Sequence, residues 1–164
     1  PSAEASDLLI TQWIEMRGHA GRGEQLFFSK ANCSTCHQVG DRGKEIGPPL
    51  NEIGAKLSRH GLYEAMLYPS AAINHSYETY SALTDAGVAL KGILVGATEE
   101  TVTLKTEKGV LQELRRDELE LFEKQSASLM PSGLEKILSP QEIADVAAYL
   151  ATLRAGSGEP GGGE

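Results

Sequence analysis

The chain has 164 residues, 40% hydrophobic and 23% charged, enough for one domain with its own core and an inserted subdomain. Its 15 basic and 23 acidic residues leave a formal charge of −8, which disfavours nucleic acid and anionic lipid. Such a charge either steers the chain toward a basic patch on a protein partner or simply keeps it in solution. No apolar run reaches the ~18 residues of a membrane helix, and the first seven residues lack the charged start and apolar core of a signal peptide. Pro1 in place of Met reads as a processed chain or a piece of a longer multidomain protein.

In chain order, residues 7–17 predict a short amphipathic helix with Leu9, Trp13 and Met16 on one face, ended by glycines from Gly18 onward. Residues 22–30 predict a second helix, with Gly23 and Phe27 four apart on one side. A glycine-punctuated loop then leads to Gly47-Pro48-Pro49-Leu50, where proline forces an extended turn. Residues 50–58 and 60–68 each suit a short helix, with a break around Arg59-His60-Gly61 and a stop at Pro69-Ser70.

The period then changes. Residues 101–106 alternate, placing Val102 and Leu104 on one face and Thr103 and Lys105 on the other. Residues 77–84 and 88–95 are rich in strand formers, and 110–115 and 119–122 add further candidates. Turns fall at 85–87, 98–100 and 107–109. Residues 77–124 are therefore read as a small antiparallel sheet, open or closed into a barrel. A final helix carries complete start signals: Ser139 as N-cap, Pro140 first, Glu142 closing a capping box, and Leu138 with Ile143 as a hydrophobic staple. Ile143, Val146, Ala147, Leu150 and Leu153 form its apolar stripe. Residues 155–164 read as a flexible tail.

The two cysteines of the chain stand in Cys33-Ser34-Thr35-Cys36-His37. In Cys-x-x-Cys-His, two thiols add across the vinyl groups of a haem, and the adjacent histidine reaches the iron from the same side. A thioredoxin-like dithiol would need a βαβ context, and a zinc site would need a second ligand pair, which the chain lacks. The sixth iron position decides the chemistry: filled by protein it favours electron transfer, open or labile it admits gases or peroxide. Candidates are Met16, Met66, Met130, His19, His60 and His75. Met66 sits at core or pocket-wall spacing, Met16 reads as core, and His19 and His60 beside glycines read as exposed. His75 is the rival distal ligand to follow. Arg42, Lys56 and Arg59 are candidates for propionate pairing, with plain solvation the simpler reading.

With Gly23-x-x-x-Phe27 ahead of the motif and Gly47-Pro48-x-Leu50 behind it, the chain resembles the class I c-type cytochromes. The resemblance covers about 21–68 and 126–154. It implies that Cys33 and Cys36 attach one haem c, that His37 is the proximal ligand, and that the Pro48 carbonyl accepts the His37 Nδ1 proton. Leu50 and Met66 would line the pocket. Ser128-Leu129-Met130-Pro131 is similar to the family's distal methionine loop, making Met130 the sixth ligand, and Tyr149 and Leu150 would pack against Phe27. Tyr68-Pro69-Ser70, the stretch from Ser128 to Gly133-Leu134, and the strand-rich insert resemble more narrowly the haem-binding domains of planctomycete and verrucomicrobial proteins.

The expected fold is thus a mainly α, class I-like cytochrome c domain (21–76 and 125–154) interrupted by an antiparallel β subdomain (77–124), α+β overall, after an N-terminal helix and linker (1–20). The resemblance implies an exported, periplasmic one-electron carrier with unidentified redox partner proteins, not an enzyme, standing alone or as a domain of a larger oxidoreductase. Two other functions stay open: a gas-binding or sensing haem with a labile distal Met, and a haem module that docks on a dehydrogenase through its sheet.

Overall fold

A computed structural model describes residues 3–154; the expected tail from Ala155 onward lies outside the described residues. The N-terminal helix α1 (Ala3–Trp13) starts and ends earlier than the pattern predicts. Its phase shifts with it: Ile10, 2% exposed, enters the core in place of Leu9. Trp13, Ile14 and Met16 pack against that core from the end of the helix and the turn after it.

The helices α2 (Ala20–Phe27) and α5 (Pro140–Thr152) cross at close range. Gly23 makes the crossing possible, because a Cβ there would collide with the Asp145 carbonyl of α5. One turn along, the ring of the fully buried Phe27 meets Tyr149 edge to face at 5.6 Å. Asp145 is itself 3% exposed and is held by the His19 backbone N–H (2.8 Å), Gln141 Nε2 (2.9 Å) and Arg22 Nε (3.1 Å). A buried carboxylate with three donors is satisfied, and it ties the start of α2 to α5. The expected capping box is present in full: Glu142 N–H donates to Ser139 Oγ, and Ser139 N–H donates to Glu142 Oε2 at 2.8 Å. The staple residues Leu138 and Ile143 are both buried.

Between these helices lie a short ribbon, β1 (Gln38–Val39) with β2 (Arg42–Gly43), and the helices α3 (Ile53–Lys56) and α4 (Arg59–Leu67). The break before α4 falls one step earlier than predicted. Ser58 is its N-cap, with Oγ accepting from Gly61 N–H, so His60 and Gly61 are helical rather than loop. Leu62, Tyr63, Met66 and Leu67 of α4 join Phe27, Leu50, Leu138 and the α5 stripe in one core.

The strand-rich region forms a five-stranded antiparallel sheet of β3 (Thr79–Thr84), β4 (Ala89–Ala97), β5 (Thr101–Lys105), β6 (Leu111–Arg115) and β7 (Leu119–Lys124). Its order is β6-β5-β4-β3-β7, so β6 and β7 are free edges and the closed barrel is not formed. Alternation alone cannot distinguish closed from open, since both bury one face. Residue 77 belongs to a 3-10 turn (His75–Tyr77) rather than to β3, because Asn74 accepts from Ser76 N–H and turns the chain first. Val102 and Leu104 are fully buried, as their alternation predicts. Entry to and exit from the sheet are pinned together by Ser128 N–H donating to Ser70 Oγ at 2.9 Å.

Candidate haem site

Cys33 follows α2 after a reversal in which Asn32 takes a left-handed conformation (φ 58°), and Cys33–Thr35 form a single 3-10 turn. The His37 N–H donates to the Cys33 carbonyl at 2.9 Å, so both cysteines and the histidine project from one compact loop. Neither cysteine is in a disulfide. Burial pushes the Cys33 thiol up to about 11, with the Cys36 sulfur adding to the effect, so Cys33 is held as the thiol.

The chain then folds back on itself. Ile46 N–H and Gly47 N–H both donate to the Cys36 carbonyl, at 3.1 and 2.7 Å. That return lays Gly47 against the His37 imidazole, where a Cβ would sit 2.8 Å from Cε1. The next residue presents its carbonyl: His37 Nδ1 lies 2.8 Å from Pro48 O. The neutral tautomer with Nδ1–H donating to this oxygen leaves Nε2 as an unprotonated lone pair, as a metal ligand requires. Burial lowers the His37 pKa and so favours the neutral ring, and the bond to Pro48 opposes this in part.

These residues fit a c-type haem: two unpaired thiols, an imidazole with one nitrogen fixed and the other available, and a glycine where a side chain would crowd the ring. Leu50 is bound to the same loop through its N–H to the Gln38 carbonyl at 2.9 Å, and with Met66 it lies in the helical core against which Cys33 packs. Met130 stands apart. It is half-buried in the loop before α5, its N–H donating to Ser128 Oγ at 3.1 Å, and it is not part of that core.

His19, His60 and His75 are exposed, and His75 lies 3.0 Å from Glu78 with its side chain 98% exposed, which withdraws it as a distal candidate. The three cations considered for propionates have protein partners. Arg42 pairs with Glu24 at 2.9 Å and lies 3.6 Å over the Phe28 ring, Lys56 pairs with Glu52, and Arg59 donates to the Met16 carbonyl. A cavity of about 590 Å³ between α1, α4 and residues 132–136 includes Tyr68 and Glu135, whose Oη and Oε2 are buried without a partner among the described residues. Cys33, Cys36 and His37 do not line it. Sequence reasoning missed Asp145, an acidic residue inside an apolar stripe, and also Ile46 and Lys105, discussed below.

The fold and this loop together define a helical domain shaped for covalent haem attachment. Residues 20–91 match the family model described as Cytochrome c. The match supports a c-type cytochrome, an electron carrier with covalently bound haem. It covers less than half of the chain and ends within β4, so Met130 and α5 lie beyond it. No curated protein matches the chain. Among the described residues no helix is long and apolar enough to cross a membrane.

Proposed function

We infer that the chain is a monohaem c-type cytochrome of class I type with His37 and Met130 as axial ligands, serving a respiratory or dehydrogenase-linked chain in the periplasm. The division into a haem domain (21–76 and 125–154) and a β insert (77–124), and the kinship with the planctomycete and verrucomicrobial domains, belong to the same reading. What carries it is the contact of His37 Nδ1 with Pro48 O at 2.8 Å, next to two free thiols.

Bound haem supplies a single electron at a time by cycling its iron between ferrous and ferric. The protein's part is to hold and to exclude. Cys33 and Cys36 anchor the group through thioether bonds. The Pro48 carbonyl fixes the imidazole ring and increases its donation through Nε2. Leu50 and Met66 keep that side of the pocket apolar, which limits water. A Met130 thioether on the iron would favour the reduced metal relative to a second histidine. An export route follows from the chemistry, since c-type haem is attached outside the cytoplasm. With His37 and Met130 holding the iron, electron transfer would break no bond and would call for no catalytic group.

Met130→Ala, followed by ferric and ferrous absorption spectra, tests the assignment. The expected outcome is loss of the low-spin spectrum and rapid CO binding, while the wild-type ferrous protein ignores CO at neutral pH. An unchanged spectrum in the variant removes Met130 as ligand. Rapid CO binding by the wild type replaces electron transfer with the gas-binding function.

A further inference from the structure

Between Arg42, which reaches Glu24 and Phe28, and the buried Leu50, no side chain of the segment that presents Pro48 to His37 joins the helical core. Residues 40–45 are exposed, Gly47 and Pro48 are half-buried, and Pro49 is exposed. Ile46 is the one buried residue of this stretch, 4% exposed, yet it is not part of the helical core. The sheet buries it. A Cβ on Gly109, in the β5–β6 turn, would sit 3.5 Å from Ile46 Cδ1, and a cleft of about 300 Å³ brings Ile46 together with Tyr77, Leu94 and Lys105. Lys105 Nζ, at the end of β5, donates to the Glu45 carbonyl at 2.9 Å. Beyond the Ser34 and Cys36 carbonyls, which accept from Lys44, Ile46 and Gly47 N–H, the loop is therefore tied to the sheet at Glu45 and Ile46.

Building on the haem reading above, we propose that the β sheet is a brace for the proximal ligand: Ile46 and Lys105 are positioning residues that set the Pro48–His37 hydrogen bond and through it the potential of the haem. A loop held only near its ends samples several positions at its middle, and each one that withdraws the Pro48 carbonyl weakens the imidazole's donation. Side-chain anchors at Glu45 and Ile46 remove those positions. Neither residue touches the site's donor atoms; both act through two backbone carbonyls. The arrangement also gives the sheet a role independent of any partner.

The test uses the haem-loaded protein and two readouts: solvent exchange of the His37 Nδ1 proton by NMR in the diamagnetic ferrous state, and the midpoint potential. Ile46→Ala is expected to speed exchange about tenfold and to move the potential positive, because weaker donation stabilises the ferric iron less. Lys105→Met, which keeps the length of a half-buried side chain and removes its donor, is expected to act in the same direction by less. Ile46→Val and Lys105→Arg restore most of both values, and Leu121→Ala, on the opposite edge strand β7, changes neither. Wild-type exchange and potential in both Ile46→Ala and Lys105→Met overturn the brace, as does an equal effect from Leu121→Ala. A wild-type chain that carries no haem overturns the functional reading instead, recognisable by the absence of any haem spectrum, and the brace falls with it.

Discussion

The helical part and the sheet hold themselves together differently. In the helical part, backbones approach until side chains are excluded: α2 and α5 cross where Gly23 faces the Asp145 carbonyl, and Phe27, Tyr63 and Ile143 are completely buried around that crossing. In the sheet, ladder hydrogen bonds do most of the organising. Its apolar interior is thin, with Ala82, Ile93, Val102 and Leu104 buried and Val95, Val110, Leu111 and Leu121 exposed. Haem attachment requires the first kind of rigidity, because a thiol pair and an imidazole must stay in register with one planar group. The second kind suffices for an element that steadies one loop.

The sharpest break between the two regions comes from truncating their interiors. Phe27→Ala is expected to cost about 3–5 kcal/mol and Val102→Ala about 2 kcal/mol in denaturant unfolding. The first should also disturb axial ligation of the attached haem in the folded protein and the second should not, which the absorbance before denaturant is added reports. A smaller contrast lies within α2. Gly23→Ala, driving a methyl into the Asp145 carbonyl, should destabilise by about 1–3 kcal/mol or more. Gly21→Ala, with nothing within 4 Å, should stabilise by about 0.5–1 kcal/mol. Equal effects at the two glycines would show that the helices do not cross at Gly23.

The smallest effect is one of pH and belongs to the helical side alone. Lys30 and the Ser139 N–H hold the Glu142 carboxyl below the usual carboxylate range. A lowered folded value means that the stabilisation is present above the unfolded pKa and is lost as pH falls through the folded one. Glu142→Gln should therefore be less stable than wild type at neutral pH, with the difference vanishing in acid. Thermal melts at a series of pH values measure it, and a difference independent of pH would contradict the capping-box role.

Local signals were legible in the sequence, and long-range ones were not. Ser139, Pro140 and Glu142 act within one turn, so their spacing carried the α5 start to the residue. Val102 and Leu104 revealed their face by alternation. The start of α4 at Ser58 was hidden because His60-Gly61 imitates a break that the cap overrides. The phase of α1 could not be read from Leu9, since Leu8, Leu9 and Ile10 are all apolar and only packing selects among them. At the site, Cys33, Cys36 and His37 are adjacent and carry their own pattern. Pro48 required a family likeness, because the return of the chain that brings its carbonyl to His37 leaves no periodic trace. Ile46 and Lys105 lie 59 positions apart and meet only through the topology of the sheet, which no window of sequence contains.

The central claim is that this loop carries haem through its own cysteines. Mass spectrometry of the purified protein, produced in a host that exports it and attaches c-type haem, tests it directly. The expected result is a single haem retained through denaturation and found on the peptide containing Cys33 and Cys36, and none on the Cys33→Ala/Cys36→Ala double variant. Two free, fully alkylatable thiols in folded wild-type protein from such a host would contradict it.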